Sequence, residues 1–291
     1  MSYRKILVPL DGSVVAEAAL AYAGLIAGRN KAELVLLTVC DRDNETTTRP
    51  RQAYLEQKAE ELRAEGLKVS TAVVCGNTVE QIAVYALRNM IDLLTISSHG
   101  YSGFKRLLLG SVAGKVIDYV KIPILLVKAG KDGKEKPELK RILLPMDGSQ
   151  FSETSLPYVQ SIIGGTDAEI VLLTVAEPPP VPSDRSANIK PSWEEYRDAL
   201  VAEVKEQAMA YLERVRTACA DKNIRVKLLV EMGKPAESIM QVAEREKVHL
   251  IALSSHGRTG AERVFYGSVA RRLIDESRIP LLLIRPGDAR P

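Results

Sequence analysis

The 291-residue chain has only three cysteines, Cys40, Cys75 and Cys219, an odd number with no CxxC spacing. That scarcity argues against a disulfide framework and a zinc site, and it fits a reducing cytoplasm. Neither sign of charge dominates, since Lys and Arg are interspersed with Asp and Glu and the formal net charge is only +3. No long-range field therefore singles out nucleic acid or an anionic membrane as a partner, and any anion site has to be local. No apolar run approaches a membrane span, and the opening MSYRKILVPLDGS meets an Asp-Gly turn before a signal-length apolar core develops. The expectation is a soluble, cytoplasmic globular protein. Two familiar phosphate signatures are missing too: there is neither a GxxxxGK[ST] loop nor a GxGxxG turn.

What the chain does have is an internal repeat, which governs every later reading. RKILVPLDGS at residues 4–13 returns as KRILLPMDGS at 140–149, and ELVLLTV at 33–39 returns as EIVLLTV at 169–175, both 136 residues on. From Gly76 and Gly233 onward the offset is 157. The 21 additional residues therefore enter the second copy between Val175 and Gly233, where EPPPVPSDRSANIKPSW reads as a loop insertion. Residues 92–128 and 249–285 share 17 identities in 37 positions. With 46% hydrophobic residues, the length suits two domains, expected at 1–130 and 139–287 and joined by the linker KAGKDGKEKPELK.

Short Leu- and Val-rich runs alternate with helical patterns in each copy. KILVPL, ELVLLTV, KVSTAVV, DLLTIS and IPILLV read as strands, matched by RILLPM, EIVLLTV, VKLLVE, LIALS and IPLLLI. Strands apolar almost throughout belong in a parallel sheet covered on both faces. Ser13 is placed to cap the first helix, Thr78 and Gln81 have capping-box spacing, Pro235 falls in a first helical turn, and residues 192–215 read as one long amphipathic helix. The fold class is α/β: two tandem doubly wound, parallel five-stranded sheets flanked by helices.

In such sheets ligands gather beyond the carboxyl ends of the strands, where strand order reverses. SSHGYSGFKRLLLGS at 97–111, between the fourth strand and the last helix, returns there as SSHGRTGAERVFYGS at 254–268. Ser97/Ser254, His99/His256, Gly100/Gly257, Gly103/Gly260, Gly110/Gly267 and Ser111/Ser268 survive as pairs while much between them has changed. Glycines let backbone amides approach a ligand, and a helix head offers unpartnered N–H groups to phosphate. Asp11, at the end of the first strand, is placed to accept from a ribose hydroxyl or an adenine amino group. The alternative is that the glycines only shape a turn.

ILVPLDGS at the start, a GN or GK turn before the third helix, and SSHG followed nine residues later by GS resemble the universal stress protein family in its tandem, nucleotide-binding form. The resemblance covers the chain apart from the linker and the insertion. It implies the adenine-nucleotide alpha hydrolase-like, Rossmann-like fold, with ATP and Mg²⁺ as ligands. The family signature Gly-x2-Gly-x9-Gly-Ser/Thr falls on Gly100, Gly110 and Ser111, and on Gly257, Gly267 and Ser268, but Ser97 and Ser254 replace its first glycine. The resemblance also implies contacts to the nucleotide from Pro9, Asp11, Val39 and Val112, and from Pro145, Asp147, Val175 and Val269. It further implies antiparallel pairing of the two final strands, giving an intramolecular pseudo-dimer, with a homodimer as a further expectation.

His99 and His256 are read as loop-shaping or phosphate-contacting, because no partner carboxylate or nucleophile stands at a fixed spacing. Asp118 and Asp275 are read as capping or ion-pairing residues. Cys40 aligns with Ala176 and Cys75 with Met232, which reads as apolar packing. The leading function is an ATP-binding stress-response regulator with at most slow ATP hydrolysis. A nucleotide-independent binding module competes with it, as does an adenylating or ATP-pyrophosphatase type of enzyme, whose SGGxDS or HIGH residues are absent.

Overall fold

The computed structural model describes residues 2–98, 109–128, 137–164, 166–177, 193–217, 219, 224–254 and 266–285. The first half runs β1 (Lys5–Pro9), α1 (Val14–Asn30), β2 (Glu33–Cys40), α2 (Glu45–Ala64), β3 (Lys68–Cys75), α3 (Thr78–Arg88), β4 (Leu93–Ser98), α4 (Ser111–Tyr119) and β5 (Ile124–Lys128). The second runs β6 (Arg141–Pro145), α5 (Gln150–Glu153), α6 (Leu156–Ile163), β7 (Glu169–Ala176), α7 (Trp193–Thr217), β8 (Arg225–Met232), α8 (Pro235–Arg245), β9 (Leu250–Ser254), α9 (Ser268–Glu276) and β10 (Leu281–Ile284).

Within each half the strands are parallel, and β5 meets β10 antiparallel with Leu125 opposite Leu282. The result is one ten-stranded sheet in the order β3-β2-β1-β4-β5-β10-β9-β6-β7-β8. Strand order reverses between β1 and β4, and again between β6 and β9. Alternation along each strand serves both faces: Ile6 and Val8 pack toward α1 and α2, while Leu7 packs toward α3 and α4. All three are fully buried. Truncating such a side chain to Ala costs about 2–5 kcal/mol.

The two halves also meet through their helices. Arg29 of α1 donates to the carbonyls of Leu139 and Ile162, at 3.3 and 3.1 Å, and Asn30 donates to the Ser161 carbonyl at 3.0 Å.

Two local expectations need correction, and one helical stretch is divided. Asn77, not Thr78, caps α3: its Oδ1 accepts from the amides of Val79 and Glu80, and Thr78 is the first helical residue. Gln81 instead covers Gly76, whose φ of +132° favours glycine and where a Cβ would lie 2.9 Å from Gln81 Nε2. The helical stretch after β6 is split into α5 and α6, with Pro157 in the first turn of α6, where its missing N–H breaks no helical bond. Cys40 and Cys75, read as apolar packing and as a sign of a reducing compartment, instead form a disulfide, so cysteine usage does not support that compartment. The β2–β3 register places them directly opposite, with Cα atoms 4.4 Å apart, although 35 residues separate them in sequence. Spacing along the chain does not reveal a neighbour across parallel strands. Cys219 is a buried thiol that donates to the Val215 carbonyl at 3.8 Å.

Candidate functional site

Each half turns out of its first strand through the same Asp-Gly-Ser corner. Gly12 and Gly148, at φ +85° and +82°, take the left-handed conformation that glycine adopts without strain. Asp11 Oδ1 accepts from the Ser13 amide at 2.9 Å, and Ser13 Oγ caps α1 by accepting from the Ala16 amide at 3.1 Å. In the second half Asp147 Oδ1 accepts from the Ser149 amide and hydroxyl, at 3.0 and 2.6 Å. Burial opposes ionisation of Asp147, but the hydrogen bonds from Ser149, with Ser152 and the local backbone, outweigh it and hold the carboxyl below the ordinary aspartate range. Both aspartates are thus fixed in place by their own turns at the switch point of the sheet.

Across each switch point stands a helix head without a side-chain cap. Gly110 and Gly267 are the N-cap residues of α4 and α9, and among the described residues these heads have no side-chain cap hydrogen bond, as is also true of α6 and α8, whereas Ser13, Asn44, Asn77 and Ser149 cap α1, α2, α3 and α5. Their φ angles, −56° and −63°, are open to any residue. Backbone conformation therefore does not explain glycine at these two positions.

In the second half these parts enclose a cavity of about 850 Å³. Pro145, Asp147, Val175, Ser254, Gly267, Ser268 and Val269 line it, which are all the second-half residues expected from the sequence to contact a nucleotide that lie in the described structure. His256, Gly257 and Gly260 lie outside the described residues, as do His99, Gly100 and Gly103. In the first half Pro9 closes β1, Val39 lies on β2 beside the disulfide, and Gly110, Ser111 and Val112 begin α4. Ser97, which stands where the family signature has glycine, donates its hydroxyl to the Val15 carbonyl and so ties the end of β4 to α1. Asp275 pairs with Arg271 at 3.5 Å, as expected of an ion-pairing residue.

Sequence reading missed the outer wall of this second-half cavity. Val204, Gln207, Ala208 and Tyr211 form one face of α7 along it, and Ile239 of α8 adds to the floor. Their spacing of three and four residues was a usable signal, but it marks a core face equally well. Tyr211 matches Tyr54 at the 157-residue offset. In the first half Tyr54 donates to Glu17 Oε1 at 2.9 Å, and Lys58 pairs with the same carboxylate at 3.0 Å. In the second, Arg214 lies over the Tyr211 ring at 5.3 Å and is 3.6 Å from Glu153, the residue matching Glu17. The surroundings of the two tyrosines are therefore related but not equivalent.

The universal stress protein family model matches residues 2–128 and 138–285. A universal stress protein of Mycolicibacterium smegmatis is 26% identical over 310 residues, covering 97% of both chains. Universal stress protein MJ0577 of Methanocaldococcus jannaschii is 29% identical over 153 residues, covering 50% of this chain and 94% of its own. The crystal structure of a universal stress protein from Archaeoglobus fulgidus superposes with a TM-score of 0.74 at 20% identity, covering 99% of this chain and all of that one. The full-length relative and the doubled family match agree with the repeat and the paired switch points: this chain belongs to the universal stress protein family and has its tandem, two-segment form.

Proposed function

We propose that the chain is a cytoplasmic stress-response regulator that binds ATP at the carboxyl ends of its strands. The observation that carries this reading is the second cavity, where a fixed aspartate, a strand end and an uncapped glycine helix head face one space. Asp147 would accept from the ribose hydroxyls. Pro145 and the β7 end at Val175 would flank the base, and the amides at Gly267 and Ser268 would take the phosphates, aided by the α9 dipole. The matched residues Pro9, Asp11, Val39, Gly110 and Ser111 are assigned the same roles in the first half.

Among the described residues no three His, Cys, Asp or Glu side chains group as a metal site. A Mg²⁺ ion would therefore arrive with the phosphates and not on a protein cage. Occupancy would be read through shape, with hydrolysis at most slow, and the paired halves would act as an intramolecular pseudo-dimer.

Calorimetric titration with ATP·Mg²⁺ and with adenosine tests the reading. ATP is expected to bind at least about tenfold more tightly than adenosine, because adenosine leaves the helix heads unused. Absence of binding by either favours a nucleotide-independent module, and release of pyrophosphate on turnover favours the adenylating type of enzyme.

A further inference from the structure

The head of α9 is held from the other half of the chain. Tyr266, directly before Gly267, is 6% exposed, and its hydroxyl donates to the Ile117 carbonyl in the last turn of α4, 3.5 Å away. The Arg285 guanidinium lies over the Tyr266 ring at 5.3 Å and donates to the carbonyls of Ile117 and Asp118, the latter at 3.0 Å. Ring and cation together cover the end of α4, where helix carbonyls lack internal partners and positive charge is favoured. The tail of α9 is gripped from the same half, since Lys128 Nζ donates to the Ile274 carbonyl at 2.6 Å.

The first half is built differently. Leu109 stands where Tyr266 does, 157 residues earlier, and it packs back onto its own helix: a Cβ on Gly114 would lie 3.2 Å from Leu109 Cδ2. The position matching Gly114 is Arg271, so the seat that Leu109 occupies is not repeated. The residue before the head of α4 therefore packs against its own helix. The head of α9 is tied across the interface.

We infer that Tyr266 is a positioning residue for the second cavity: by anchoring the residue before Gly267 to the end of α4, it makes the geometry of that site depend on the first half of the chain. The inference rests on the ligand reading of the cavity given above. Hydrogen bonds to phosphate weaken steeply with angle and distance, so a loosened head binds less well even with every contact residue present.

Two readouts on the full chain separate the anchor from the ligand. In ligand-free protein, hydrogen exchange of the Arg271 amide, which donates to the Gly267 carbonyl, is expected to quicken about tenfold or more in Tyr266→Leu. Tyr266→Phe keeps the ring beneath Arg285 and is expected to stay within about threefold of wild type. In a Gly110→Val background, where only the second cavity is read, Tyr266→Leu should weaken ATP binding about tenfold and Tyr266→Phe about threefold or less. Wild-type exchange at Arg271 in a folded Tyr266→Leu protein overturns the anchor, and altered exchange with unchanged affinity overturns its role in binding. If the Gly110→Val parent binds no ATP, the nucleotide reading of this cavity fails, while exchange still decides the anchor. Should Tyr266→Leu not fold, Arg285→Met removes the covering cation and is read by the same exchange, with the same two outcomes.

Discussion

Lys128, the last residue of β5, donates its ammonium to the Ile274 carbonyl near the end of α9, 2.6 Å away in the other half of the chain. Burial pushes the Lys128 pKa down to about 8 from 10.5, with Asp275 partly opposing. A folded value below the unfolded one means that the unfolded chain holds more protons between the two, so stability rises with pH across that window. Its contribution is complete above the unfolded value and is lost as pH falls through about 8. The unfolding free energy of wild type relative to Lys128→Met should therefore climb by about 3 kcal/mol between pH 8 and pH 10.5. Denaturant titrations across that range measure it, and a flat difference contradicts the burial.

Asp147 has the opposite chemistry and the same sign. Its carboxyl is held low by donors from Ser149, so its contribution is full above the ordinary aspartate pKa and is lost as pH falls through the lowered folded value. Asp147→Asn should lower stability at pH 7 by about 1–2 kcal/mol, as loss of charge-assisted hydrogen bonds does, and the gap should close on acidification. Thermal unfolding at pH 7 and in acid reads both values.

The Cys40–Cys75 bridge closes a loop of 35 residues across β2 and β3. Constraint of the unfolded chain by such a loop is worth about 2–4 kcal/mol. Reductant should lower the denaturation midpoint of wild type and leave the Cys40→Ala/Cys75→Ala protein unchanged. Thiol titration of the native protein should show the buried Cys219 unreactive until unfolding. A reductant effect in the double variant would place its cause elsewhere.

The sheet was legible because its strands are continuous apolar runs and because the repeat supplied each assignment twice. Ser13 and Pro235 marked helix starts correctly, since each acts through chemistry local to its turn. Asn77 was passed over because Thr78 and Gln81 imitate a capping box one residue later. The misses at the site have a different origin. Cys40 and Cys75 meet through strand register, Tyr211 reaches the cavity through the docking of α7, and Tyr266 touches Ile117 only because β5 and β10 join the halves. Each is a long-range contact between residues whose types are unremarkable alone. Pro145, Asp147 and Ser268, by contrast, sit where strand ends and helix heads must converge in a doubly wound half, so topology alone brought them together.

The central claim is that an adenine nucleotide lies with its phosphates at the heads of α4 and α9. Gly110 and Gly267 have φ values that valine can adopt, so Gly110→Val and Gly267→Val add a branched side chain at the proposed phosphate position of each head without straining the turn. Mass analysis of small molecules released from freshly purified protein should find adenine nucleotide in wild type and less of it in each variant. No adenine nucleotide from wild type, or an undiminished amount from both variants, would contradict the account.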